Sequence, residues 1–122
     1  MNLNSREKSK EMAKIAYKAL DDKKAIDIRI IDISEVSPIA DYFIIANGNN
    51  PNQVASLTDN VDEFLGKAGY ECSHKEGAGT NSSWILLDYN DIIVHVFDKE
   101  NRGFYNLEKI WNDGKEISIE EL

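Results

Sequence analysis

Apolar and polar positions along the chain alternate with two periods, and the period changes mark the elements. From Ser5 to Asp22, Met12, Ile15, Ala16, Ala19 and Leu20 recur at intervals of three and four with charges between them, which predicts an amphipathic helix. Ser5 is the candidate N-cap, with Lys8 where a capping box would carry Glu. A polar turn, Asp21-Asp22-Lys23-Lys24, leads into period two: Ile26, Ile28 and Ile30 on one side, Asp27, Arg29 and Ile31 on the other. Ala25 to Ile33 therefore reads as a half-buried strand near a sheet edge. Ser34 to Ala40, with Pro38, is a connection too short for a full helix. Asp41 to Asn47 is apolar on both sides and predicts a strand covered on both faces. Asn50 can cap the next helix, Pro51 suits its first turn, and Val54, Leu57, Val61, Phe64, Leu65 and Ala68 form its stripe before Gly69 stops it. Tyr70 to Glu76 predicts a third strand, and Gly77 to Asn81 a flexible link.

Two apolar runs, Trp84–Tyr89 and Ile92–Phe97, flank Asn90-Asp91, the pattern of a β-hairpin with a two-residue turn. With that loop, Tyr89 faces Ile92, Leu87 faces Val94 and Ile85 faces Val96. Alternation then puts Ile85, Leu87, Tyr89, Ile92, Val94 and Val96 on one face, suited to a helix layer. The other face carries Trp84, Leu86, Asp88, Ile93, His95 and Phe97. It mixes a carboxylate and an imidazole with large apolar groups. Two readings are open: a second core face with a satisfied His95 and an exposed Asp88, or a surface that another molecule covers. Beyond Phe97, Asp98 can cap a short helix to Arg102. Gly103 loosens it, and Phe104, Tyr105, Leu107, Ile110 and Trp111 form a last helical stripe. Residues 116–122 read as a mobile acidic tail on a single domain spanning 1–115. The expected fold is α/β, one mixed sheet of about five strands with helices over its aliphatic face.

Composition narrows the function. The chain of 122 residues carries 14 basic and 22 acidic groups, a net charge of −8. That balance disfavours direct binding to nucleic acid and suits a basic protein partner, or solubility alone. One cysteine, Cys72, forms no internal disulfide, which points to a reducing cytoplasm, and no apolar run is long enough to span a bilayer. The turn Gly48-Asn49-Asn50-Pro51 lacks the glycines of a phosphate loop and reads as a plain cap. Asp88 and Asp91 are three residues apart across a turn, whereas a two-metal site wants carboxylates on one strand face; nothing in the sequence places Asp41 beside them. Cys72, His74 and His95 lack any recognisable zinc spacing. No catalytic constellation, metal site or cofactor is expected.

Several blocks together resemble one family. Asp41-Tyr42-Phe43-Ile44-Ile45-Ala46-Asn47-Gly48 is followed by Gln53-Val54. Glu76-Gly77 then precedes Trp84 through Asp91, and Val94-His95-Val96-Phe97 follows; Arg102, Phe104-Tyr105, Leu107-Glu108 and Trp111 complete the pattern. On these residues the chain resembles the ribosomal silencing factors, also called the iojap family, over nearly its whole length. Gly103 departs from the pattern, where a helix-favouring residue is more usual. The resemblance implies a nucleotidyltransferase-like fold without enzymatic activity and a tendency to dimerise when free. It also implies binding to the large ribosomal subunit on an L-fourteen-type ribosomal protein, obstruction of subunit joining, and damped translation when nutrients are short. It favours the covered-surface reading of the hairpin, with Trp84, Leu86, Asp88 and His95 facing the partner and Tyr89 and Asp91 nearby at the turn. The rival classes are a nucleotidyltransferase-like enzyme and a dimeric scaffold.

Overall fold

A computed structural model describes residues 5–35, 40–77, 84–98 and 114–122. Within them the chain runs α1 (Ser5–Asp22), β1 (Ile26–Asp32), β2 (Tyr42–Gly48), α2 (Pro51–Lys67), β3 (His74–Glu76), β4 (Trp84–Asp88), β5 (Ile92–Asp98) and β6 (Lys115–Ile117), ending in a 3-10 turn over Ile119–Glu121. The strands form one sheet in the order β3-β4-β5-β2-β1-β6. The β2–β5 pairing is parallel, and the other four pairings are antiparallel. The α/β class with a mixed sheet is as expected, but the sheet has six strands rather than about five.

Both helices cover the same face. Met12, Ala16 and Leu20 of α1 and Val54, Leu57 and Leu65 of α2 pack on Ile44, Ile85, Leu87, Val94 and Val96 of the sheet. Each fully buried Leu, Ile, Val or Met among them contributes about 1.5–3 kcal/mol relative to exposure. The two helices are also tied by a polar contact that periodicity did not reveal. Asn60, 5% exposed, donates from Nδ2 to the carbonyl of Ala19 at 2.7 Å and to Asp22 Oδ2 at 3.2 Å. The start of α2 is built as its residues demand: Asn50 Oδ1 accepts from the Gln53 N–H at 2.9 Å, and Gln53 Oε1 accepts from the Asn49 N–H at 2.6 Å. Gln53 Nε2 also reaches the carbonyls of Lys23 and Lys24, pinning the turn before β1. Ala68, expected on the buried stripe, is instead the exposed C-cap, and Gly69 at φ 94 follows it as the stop.

Four further expectations are corrected. β1 does not alternate evenly: its register shifts between Ile26 and Arg29, Asp27 sits at φ 53, and Ile26 is left 36% exposed. Nor is β1 an edge. The segment expected as a free acidic tail supplies β6, with Ile30 opposite Ile117 and Asp32 opposite Lys115. Arg29 holds Glu116 at 3.0 Å across that pairing, and Ile117, Ile119 and Leu122 pack against the main core. Apolar positions at Ile117, Ile119 and Leu122 gave the segment something to bury, which its acidic composition obscured. The third strand is confined to His74–Glu76, because only these residues pair with β4. Finally, α1 already includes Ser5, so Ser5 is not the residue preceding the helix. The expected last helix and its stripe lie outside the described residues, as do Gly103 and residues 78–81 of the link.

Candidate functional site: the sheet face opposite α1 and α2

The hairpin forms with the expected register. Trp84 lies opposite Phe97, Ile85 opposite Val96, Leu86 opposite His95, Leu87 opposite Val94 and Asp88 opposite Ile93. The Tyr89 N–H donates to the Ile92 carbonyl at 3.0 Å and closes the turn over Asn90-Asp91. Asn90 takes the left-handed conformation, φ 72, that made Asn a suitable residue there. Its N–H donates to Asp88 Oδ1 at 2.8 Å, so the Asp88 carboxylate helps to hold the turn. The two faces therefore separate as the alternation requires. Ile85, Leu87, Tyr89, Ile92, Val94 and Val96 join the core beneath the helices. Ile93 and Phe97 join a second cluster on the opposite face with Ile31, Ile33, Ala40 and Ile45, against which Phe43, Trp84 and Leu86 pack half-buried.

His95 lies at the centre of this second face. Its ring is 6.1 Å from those of Trp84 and Phe97, and the three planes lie within 13° of one another. Phe43 meets His95 edge-on, with centroids 4.9 Å apart. Trp84 Nε1–H donates to His95 Nδ1 at 3.2 Å. Indole is a donor only, so Nδ1 is the acceptor and the proton of neutral His95 sits on Nε2. That Nε2 is buried without a hydrogen-bond partner, as is Asn47 Oδ1. Alternation along β2 from Phe43 and Ile45 puts Asn47 on the same side. Burial in apolar surroundings lowers the His95 pKa to about 4.

The site residues expected from sequence divide accordingly. Trp84, Leu86 and Asp88 are half-buried on the face opposite α1 and α2. His95 is on that face too, but only 5% exposed, so it underlies the surface more than it forms it. Tyr89, expected nearby at the turn, is 3% exposed and points to the helix side where alternation put it, its hydroxyl donating to Asp62 Oδ1 at 3.0 Å. Burial, and then the Asp62 carboxylate, raise its pKa. Odd-numbered positions of β4 face the helices, and Tyr89 continues their parity. Asp91 is at the turn, where its carboxylate pairs with Lys8 at 3.4 Å and its carbonyl accepts the Asp41 N–H. Phe43 was missed. Its strand looks apolar on both sides, and only the β2–β5 register puts it beside His95.

The alternative chemistries find little support in the geometry. Asp41 accepts from Ser9 Oγ at 2.6 Å, so Asp41, Asp88 and Asp91 each have a local structural partner. Cys72 packs beside the main core and donates to the His74 carbonyl at 3.1 Å, whereas His95 lies on the other face. Among the described residues, no group of three or more His, Cys, Asp or Glu side chains is arranged to hold a metal ion. No helix among them is long and apolar enough to cross a membrane.

Comparison with known proteins gives a consistent assignment. Residues 6–122 match the family described as "Ribosomal silencing factor during starvation" (RsfS). A protein named ribosomal silencing factor RsfS from Bacillus subtilis is 40% identical over 104 residues, covering 85% of this chain and 87% of its own length. Its namesake from Halalkalibacterium halodurans is 36% identical over 112 residues, covering 92% and 95%. The chloroplastic protein Iojap of Zea mays is 29% identical over 104 residues, 84% of this chain and 44% of that protein. Among solved structures, a Chromobacterium violaceum protein superposes with a TM-score of 0.80 at 33% identity, covering 88% of each chain. One from Bacillus halodurans gives 0.78 at 33% identity, covering 88% of this chain and 97% of that one. The chain belongs to the ribosomal silencing factor family, RsfS.

Proposed function

We infer that this protein silences translation by docking on the large ribosomal subunit through its L-fourteen-type ribosomal protein. Its bulk then obstructs the approach of the small subunit when nutrients are scarce. The observation that carries this is the sheet face opposite α1 and α2, where Trp84 and Leu86 stand half-buried on an apolar layer beside the Asp88 carboxylate. Large aromatic and aliphatic anchors ringed by charge suit a protein interface. The net charge of −8 suits a basic partner and speeds encounter with it. The same reading makes the protein a cytoplasmic binding factor, dimeric when free, of nucleotidyltransferase-like fold but without catalysis. It calls for no cofactor and no direct contact with nucleic acid.

Co-sedimentation tests the reading. The protein should pellet with purified large subunits, should be released as salt rises, and should lower the yield of joined ribosomes in a subunit-mixing gradient. Equal recovery on small subunits would sink it. Asp88→Asn is an informative variant, because it keeps an acceptor for the Asn90 N–H while removing the charge offered to the partner. A saturable, Mg²⁺-dependent thermal stabilisation by nucleotides would favour the enzyme instead.

A further inference from the structure

We propose that His95 is a positioning residue for Trp84: its Nδ1 accepts the indole proton and fixes the ring as a preformed anchor for the ribosomal partner. This deepens the docking function inferred above and rests on it.

The geometry separates this role from both packing and direct contact. His95 is 5% exposed, so it offers a partner almost no surface. Its ring and that of Trp84 are nearly coplanar in orientation, 10° apart, with centroids 6.1 Å apart and the two nitrogens at 3.2 Å. That offset is what an in-plane N–H···N bond needs, and it is too long for face-to-face stacking. The bond spans neighbouring strands on a diagonal, since Trp84 lies opposite Phe97 and Leu86 opposite His95. It therefore stops a large half-buried side chain from turning about its own bonds. Fixing such a ring before binding removes an ordering cost that would otherwise fall on association.

Stability alone does not account for the choice of residue. Holding Nδ1 as acceptor forces the proton onto Nε2, and Nε2 is buried with no partner. A phenyl ring would occupy similar space among Phe43, Trp84 and Phe97 and would remove the orphaned Nε2 donor, but it could not accept the indole N–H. A residue that violates a core rule in the middle of an apolar cluster is best explained by what its other nitrogen does.

The test is a double-mutant cycle on the full chain, with His95→Phe, Trp84→Phe and the double variant. Affinity for purified large ribosomal subunits and thermal melting are measured for each. Loss of one hydrogen bond that organises the anchor should weaken binding about three- to tenfold in His95→Phe, while melting shifts little, because the lost acceptor and the removed orphan donor offset each other. In the Trp84→Phe background the same substitution should change binding less than twofold. An equal loss in both backgrounds, or wild-type binding by His95→Phe, would overturn the proposal. A second measurement needs no partner and no variant. Nitrogen-15 chemical shifts of the imidazole should show the Nε2–H tautomer, and the Trp84 indole N–H should exchange slowly with solvent. An Nδ1–H tautomer or a freely exchanging indole would overturn it even if His95→Phe failed to fold. If Trp84→Phe itself binds like wild type, the docking function fails instead, and the nitrogen shifts alone decide the positioning contact.

Discussion

The two faces of the sheet are built from the same strands but on different terms. The helix face is aliphatic, sealed by α1 and α2, and its few polar groups have partners: Asn60 on the Ala19 carbonyl, Tyr89 on Asp62. The opposite face is aromatic and, among the described residues, contains two buried polar atoms, His95 Nε2 and Asn47 Oδ1, that lack partners. One face is optimised for folding. The other tolerates unsatisfied groups, a pattern expected where side chains are selected for something besides stability.

The largest effect that can break this contrast is Leu87→Asp. Leu87 is fully buried under the helices, so an unpaired carboxylate there should cost about 4 kcal/mol or more, read in a denaturant or thermal melt. A variant that stays folded but loses ribosome binding would mean that the faces are inverted. Trp84→Ala should behave oppositely, weakening association with large subunits by roughly 2–4 kcal/mol while leaving the fold intact, as loss of an interface anchor does. Isothermal titration or quantitative co-sedimentation measures it, and collapse of the fold would make Trp84 a core residue first.

Acid sharpens the contrast further. His95 has its pKa lowered from 6.5 to about 4 by burial. Between those values the unfolded chain holds more protons at this site, so stability is complete above pH 6.5 and declines as pH falls towards 4. The slope is up to about 1.4 kcal/mol per pH unit. Subtracting the pH–stability curve of His95→Phe isolates this component from the carboxylates; identical curves would mean that His95 is not buried neutral. The smallest effect belongs to Tyr89→Phe. It removes one hydrogen bond to an exposed partner and should cost about 1 kcal/mol in a melt, with no change in ribosome binding. A binding defect at unchanged stability would return Tyr89 to the docking surface.

Much of this architecture is local and was legible in the sequence. Spacing of three and four predicted α1 and α2, and the Asn90-Asp91 turn fixed the hairpin register. Register decided the faces, because a one-residue slip would exchange Leu87 with Asp88. The residues of β4 and β5 on the face opposite the helices followed from that parity. Tyr89 followed the same parity onto the helix side.

The remainder depended on partners distant in sequence. Nothing local says that Lys115–Ile117 lies beside β1, since a short acidic strand is recognisable only once an edge and the Arg29 guanidinium are in place. Nothing local distinguishes Phe43 from Ile44 until β2 lies parallel to β5 and puts Phe43 beside His95. Which nitrogen of His95 carries its proton depends on the indole of Trp84, eleven positions away. Periodicity determined which way each side chain points, because a strand or helix repeats within a few residues. Tertiary structure determined what each side chain meets, because pairing, burial and protonation depend on groups that only the folded chain brings together.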